Sequence, residues 1–142
     1  MKKILIAFAL ICCVVSLCAC VSDNTDDTQY NVIAIKSDEA KQLLDTGEYI
    51  LLDVRTQEEY NEGHIPGSVH IPIDKTDVEP FKAEVQKQLT DRDAKIIIYC
   101  KSGFRSDIAA KAMSTLGYKT LYNMTDGIDG WKYDIEIIEV SE

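Results

Sequence analysis

Cys100-Lys101-Ser102-Gly103-Phe104-Arg105-Ser106 places a thiol at the head of a short loop that carries two cations, two hydroxyls and a glycine. The preceding run, Lys95-Ile96-Ile97-Ile98-Tyr99, reads as a buried strand, and Asp107 to Leu116 reads as a helix. The thiol therefore sits at the carboxyl end of a strand, where a loop turns into a helix N-terminus, which is where open α/β sheets bind ligands. A helix start offers free N–H groups and partial positive charge, and both favour an anion. That field, with Lys101 and Arg105 close in sequence, favours thiolate over thiol. These residues have the parts of an anionic sulfur nucleophile.

The other cysteines do not compete for this role. Cys12, Cys13, Cys18 and Cys20 all precede residue 21, so the rest of the chain holds a single thiol and can form no disulfide within itself. Met1-Lys2-Lys3 followed by the apolar run Ile4 to Leu17 has the charge and length of a secretory signal rather than of a spanning helix. Leu17-Cys18-Ala19-Cys20 resembles a bacterial lipobox. That resemblance implies residues 1–19 as a lipoprotein signal peptide, diacylglyceryl attachment at Cys20, and an extracytoplasmic, membrane-anchored protein. Val21 to Gln29 is polar and reads as a flexible tether, so 20–29 form a lipidated cysteine and linker. The formal net charge is −9, and loss of Lys2 and Lys3 with the leader makes the remainder more acidic still. Such a balance argues against nucleic acid as a partner.

Residues 30–142 are enough for one domain. Apolar runs alternate with amphipathic ones. Strands are expected at Tyr30 to Ile35, Tyr49 to Val54, Ser68 to Ile71, Lys95 to Tyr99 and Thr120 to Tyr122. Helices are expected at Ser37 to Asp45, after the capping box Thr56-Gln57-Glu58-Glu59, at Val78 to Leu89, and after the Cys100 loop. Asp126 to Trp131 reads as a helical turn, with Trp131 as a core plug. Tyr133 to Glu142 has no clear assignment. Unbroken apolar strands joined by helices predict an α/β fold, a parallel sheet covered on both faces.

Four segments in order resemble the rhodanese-like domain family in its single-domain form. They are Leu52-Asp53-Val54-Arg55, the run Glu59 to Pro72, the Cys100 to Arg105 loop, and Asp126-Gly127-Ile128-Asp129-Gly130-Trp131, in which Asp126 stands where the family has glycine. The resemblance spans about residues 32 to 132. It implies a five-stranded parallel sheet in the order 1-5-4-2-3 with helices on both faces, and sulfur transfer through a cysteine persulfide. Cys100 is then the nucleophile. Lys101, Ser102, Gly103, Phe104, Arg105 and Ser106 form the substrate-binding loop, and Asp53 and Arg55 brace it.

The chemistry expected is two displacements at sulfur. The Cys100 thiolate takes the outer sulfur of thiosulfate or of a persulfide donor, and a thiol or other nucleophile then removes it. Backbone N–H groups of residues 101 to 106 can form a nest for the anionic sulfur. No metal and no cofactor is needed, and the spacing of His64, His70 and Cys100 does not resemble a metal site. The related phosphatases carry a Cys-x5-Arg loop, one residue longer than this one, which weighs against phosphatase or arsenate chemistry. A sulfur carrier without turnover, or a thiol redox partner in the envelope, are the readings from other classes. His64 is expected to stabilise a turn. Asn123-Met124-Thr125 matches a glycosylation sequon by chance.

Overall fold

The computed structural model describes residues 31–138, so the lipobox, Cys20 and the tether lie outside the described residues. The elements run β1 (Val32–Ile35), α1 (Ser37–Leu44), β2 (Tyr49–Asp53), α2 (Gln57–Glu62), β3 (Val69–His70), α3 (Glu79–Gln88), β4 (Lys95–Tyr99), α4 (Phe104–Thr115) and β5 (Thr120–Met124). A 3-10 turn follows at Ile128–Gly130. The five strands form one parallel sheet in the order β1-β5-β4-β2-β3.

The apolar strands explain the layers. Ile96, Ile97, Ile98 and Tyr99 of β4 are all fully buried, and successive side chains point to opposite faces. Ile96 and Ile98 pack with Leu52, with Phe81 and Val85 of α3, and with Ala109 and Met113 of α4. Ile97 and Tyr99 pack with Ile35, Leu51, Ile65 and Ala40 of α1. Two cores on two faces are the reason that β4 has no polar alternation.

Register brings the chemistry to one end. Asp53 pairs with Tyr99 across β2 and β4, and Ile98 pairs with Asn123 across β4 and β5. The carboxyl ends of the three central strands are therefore level, and the Cys100 loop leaves from the middle one.

Several boundaries differ from expectation. β3 has only two residues, because the chain beyond it follows β2 irregularly through Ile71 N–H to Asp53 O and Ile73 N–H to Val54 O around Pro72. β5 runs two residues further than expected, to Met124, which brings Asn123 into the sheet. α4 starts at Phe104, not Asp107, because Gly103 takes a left-handed φ of 90° and turns the chain into helix early. Trp131 is half-buried at the rim of the α1-side core, with its indole N–H donated to the Asp134 carbonyl, so it edges the core and does not plug it. In the tail, Glu136 makes an antiparallel bridge with His64, and Ile138 N–H bonds Asn61 O.

Candidate active site

The Cys100 side chain is buried at the end of β4, and its Sγ accepts from the Gly103 amide at 3.2 Å. Ser106 Oγ lies 3.5 Å from the same sulfur. The early start of α4 puts Phe104, Arg105 and Ser106 in the first helical turn, so their orphan N–H groups crowd the thiol end. Burial pushes the Cys100 thiol up. Hydrogen bonds from the Ser106 hydroxyl and from the amides of Ser106, Ser102 and Gly103 outweigh it, and the thiol lies below its ordinary value. Positive charge on Lys101 is not among those causes. Burial and hydrogen bonds lead, and Arg105 adds a weaker charge interaction with the sulfur.

Ser106 is itself held. Its Oγ is 2.7 Å from Asn123 Oδ1, and Asn123 Nδ2 donates to the Gly103 carbonyl at 3.2 Å. A hydroxyl has one proton, so Ser106 can give it to the thiolate or to Asn123, not both. Asn123 is buried, at 6% exposure, in a role that the sequon reading passed over.

The loop is also propped from below by backbone. Ile128 N–H bonds Cys100 O at 2.9 Å, and Asp129 N–H bonds Lys101 O at 3.1 Å. Gly127 takes φ 57°, and a Cβ there would strike the Lys101 carbonyl. A Cβ at Gly103 would strike the Thr125 carbonyl. Asp126 fixes this prop to α1: its carboxylate accepts from Ser37 N–H and Ser37 Oγ, both at 3.0 Å.

Asp53 and Arg55 brace the other side. Arg55 Nε and Nη2 donate to the Asp53 carboxylate at 2.6 to 3.1 Å, and both side chains are buried. Burial works against the Arg55 charge, but the Asp53 carboxylate more than restores it. Arg55 also donates to the carbonyls of Glu59 and Gly63, which ties α2 to the end of β2. Thr56 and Glu59 form the expected capping box.

Glu59 does more than cap. Its carboxylate receives both terminal nitrogens of Arg105 at 2.7 Å each, and that pairing holds its pKa at about 2. The Arg105 charge is raised first by the Glu59 hydrogen bonds, with burial opposing and the Cys100 sulfur adding a smaller share. Arg105 is thus a clamp on the loop and is not a free anion receptor. Nothing in the sequence joined residues 59 and 105, which only the fold brings together.

His64 and His70 stack on the two faces of Tyr60, with ring centroids at 3.8 and 4.3 Å. His64 Nδ1 pairs with the Tyr60 carbonyl, as a turn-stabilising role requires, and His70 Nε2 with the Arg55 carbonyl. No group of three or more His, Cys, Asp or Glu among the described residues is placed to hold a metal ion.

Above the thiol lies an open groove of about 810 Å³. One wall is the loop, through Cys100, Lys101, Ser102, Phe104 and Arg105, and the other is the β3–α3 segment. Lys101 also borders a second cleft of about 340 Å³ with Glu62 and Trp131. Lys101, Ser102 and Phe104 are exposed, while Gly103 and Ser106 are buried under the sulfur. A buried, hydrogen-bonded sulfur beneath an open groove can attack one slender electrophile and hold the product as an anion.

The comparisons agree with this architecture. Residues 36–134 match the Rhodanese-like domain model. The chain is 35% identical over 113 residues to the putative sulfur carrier protein YrkF of Bacillus subtilis, covering 77% of this chain and 56% of that protein. It is 32% identical over 112 residues to a tRNA uridine(34) hydroxylase of Sodalis glossinidius, covering 76% of this chain and 32% of the enzyme. The chain thus spans about half, or a third, of the curated relatives it matches. A rhodanese-like domain protein of Staphylococcus aureus superposes with a TM-score of 0.60 at 26% identity, covering 75% of this chain and 99% of the other. A thiosulfate sulfurtransferase of Pseudomonas aeruginosa shares the fold, with a TM-score of 0.63 at 23% identity, covering 76% of this chain and 21% of the enzyme. By its matched sequence, its strand order and its cysteine loop, the chain belongs to the rhodanese-like domain family.

Proposed function

We propose that this domain transfers sulfane sulfur through a persulfide on Cys100. The observation that carries the reading is the Cys100 sulfur itself, buried under the groove with the Gly103 amide donating to it at 3.2 Å and the Ser106 hydroxyl 3.5 Å away. In the first step the thiolate attacks the outer sulfur of thiosulfate. The S–S bond of the donor breaks, sulfite leaves with the electron pair, and Cys100 carries S–S⁻. A low-molecular-weight persulfide reacts in the same way, with a thiolate leaving. In the second step a thiol or other nucleophile takes the terminal sulfur and Cys100 returns as thiolate. The loop amides and Ser106 favour the anion at the start and end of both steps.

Likeness to a protein named as a putative sulfur carrier supports a second reading, in which the persulfide waits for one acceptor. The hydroxylase relatives name tRNA, but a net charge of −9 repels a phosphate backbone, and we assign no nucleic-acid substrate. We further infer that lipid at Cys20 holds the domain outside the cytoplasm, on the strength of the leader and lipobox.

Intact mass of the full chain in mild detergent tests the chemistry. Thiosulfate or polysulfide is expected to add one sulfur to Cys100, and cyanide or a thiol to remove it. No gain with either donor would sink sulfur transfer and leave the redox reading.

A further inference from the structure

Asn123 is a buried amide on a face of the sheet that is otherwise apolar. It lies on β5, where Ala34 of β1 and Ile98 of β4 flank it on the two sides. Leu121, on the same face of that strand, belongs to the core beneath α3 and α4. A buried polar side chain at such a place costs free energy unless it is hydrogen-bonded. Asn123 has two partners, one in the Cys100 loop and one in the first turn of α4. The Gly103 carbonyl can only accept, so the amide must present Nδ2 to it at 3.2 Å. That fixes Oδ1 towards Ser106 Oγ, at 2.7 Å. Among the described residues, Ser106 is the only donor to that oxygen.

The single Ser106 proton thus has two acceptors within reach, Asn123 Oδ1 and Cys100 Sγ, the sulfur at 3.5 Å. Their claims on it change during the reaction. While Cys100 is a thiolate the charge sits on Sγ, and a hydrogen bond to an ion is roughly twice as strong as one between neutral groups. Once the outer sulfur has been taken, the charge sits on the terminal sulfur, and Sγ is a neutral divalent sulfur that accepts weakly. The amide oxygen is then the better acceptor, and it already stands at hydrogen-bond distance. Rotation of the hydroxyl moves the proton from one acceptor to the other, and no covalent bond breaks.

We propose that Asn123 is a positioning residue for sulfur transfer, whose Oδ1 takes up the Ser106 hydroxyl when Sγ loses its charge and releases it when the charge returns. This rests on the persulfide reading and deepens it. In loading, the thiolate attacks the outer sulfur of thiosulfate, the S–S bond of the donor breaks, sulfite leaves with the electron pair, and the hydroxyl turns to Asn123. In discharge the acceptor takes the terminal sulfur, the electron pair of the bond between the two sulfurs returns to Sγ, and the hydroxyl turns back. Asn123 Oδ1 is left unpaired in the thiolate state and is paired in the loaded state. Asn123 therefore tempers the thiolate, keeps Sγ nucleophilic, and holds the persulfide until an acceptor arrives.

The test separates the amide oxygen from the amide nitrogen. Asn123→Leu removes the acceptor facing Ser106, whereas Asn123→Asp keeps one there, and both lose the N–H donated to Gly103. Full-chain protein is loaded from thiosulfate between about pH 5 and pH 9 and discharged to cyanide, both by stopped flow. In Asn123→Leu the loading profile should move to lower pH by about 0.5 unit, the loading plateau should fall about threefold, and discharge should rise about threefold. In Asn123→Asp the profile should move to higher pH, because the carboxylate holds the proton away from Sγ. In a Ser106→Ala background, Asn123→Leu should shift nothing further, since no proton remains to be shared. Asn123→Ala, which also lacks the acceptor, carries the same expectations if Asn123→Leu fails to fold. Shifts in the same direction for Leu and Asp, loading and discharge that fall together, or a Leu effect that survives in Ser106→Ala would each overturn the role of Asn123 and leave it a mere anchor of Gly103. Wild type that never loads sulfur would overturn the persulfide reading and this proposal together. Wild type that loads, with variants that behave as an anchor predicts, overturns only this one.

Discussion

Cys100 is the one thiol of the described domain, and two opposing effects act on it: burial, which disfavours the thiolate, and hydrogen bonding from the loop amides and Ser106, which favours it more. The reactive form is the anion, so sulfur loading should rise with pH through the lowered thiol pKa and then level off, the plateau being reached below the pH of an ordinary cysteine. Stopped-flow loading from thiosulfate between pH 5 and pH 9 measures this, and a flat profile would contradict it. Ser106→Ala removes the largest of the favourable contributions. A hydrogen bond to a charged group is worth ~1.5 kcal/mol or more, so loading near pH 6 should slow by roughly tenfold, with the profile displaced to higher pH. The direction of displacement separates this role from simple packing, which would scale the rate at every pH. Cys100→Ser should abolish loading and leave unfolding by urea almost unchanged, since the side chains are similar in size.

The elements around the loop act as clamps, and they are where the sequence was least informative. Lys95–Tyr99 was legible to the residue because an unbroken apolar run has one solution in a parallel sheet. The capping box at Thr56 was legible because its spacing is local. The second use of Glu59 was not, since 46 positions separate it from Arg105 and only the packing of α2 against the loop joins them. The role of Asn123 is not legible because β5 extends past Tyr122 only through its pairing with β1 and β4, and Asp126 shows its use only where the fold brings Ser37 to it. Glu59→Gln tests the clamp. It keeps the shape and the cap, since a glutamine oxygen can still accept from the Thr56 N–H, but removes the charge, and loss of the Arg105 pair should cost up to ~1 kcal/mol at pH 7. The pH dependence has a definite sign. The folded Glu59 pKa, about 2, lies below the ordinary 4.5, so its stabilisation is full above 4.5 and fades as pH falls toward 2. Urea midpoints of wild type and Glu59→Gln should therefore differ at pH 7 and converge near pH 2 to 3. A constant gap across that range would remove Glu59 from the acid response. Gly127→Ala tests the prop beneath the loop: the added Cβ meets the Lys101 carbonyl, and sulfur loading should fall by more than tenfold while the far-ultraviolet dichroism of the sheet and helices persists.

At the scale of the whole molecule, the domain and the proposed leader, residues 1–19, obey different physics. The domain brings its site together with the strands level at one end, and none of its described helices is long and apolar enough to cross a membrane. The sequence ahead of the domain reads the reverse: an apolar run with a positive start, a cysteine at its end, and then a polar stretch of low apolar content. If Cys20 carries lipid, two acyl chains hold the protein firmly where one would not, and the linker lets the groove face solvent. Cys20→Ala in a bacterial host is the discriminating variant. Labelling with an alkyne fatty acid should be lost, and the protein should move out of the washed membrane fraction. Sulfur loading of the extracted variant should match wild type within twofold, because Cys20 lies outside the residues that build the site. Persistence of the label would reject Cys20 as the anchor. Loss of the label together with loss of sulfur loading would show instead that the leader and the domain depend on each other, against the separation that the tether composition implies.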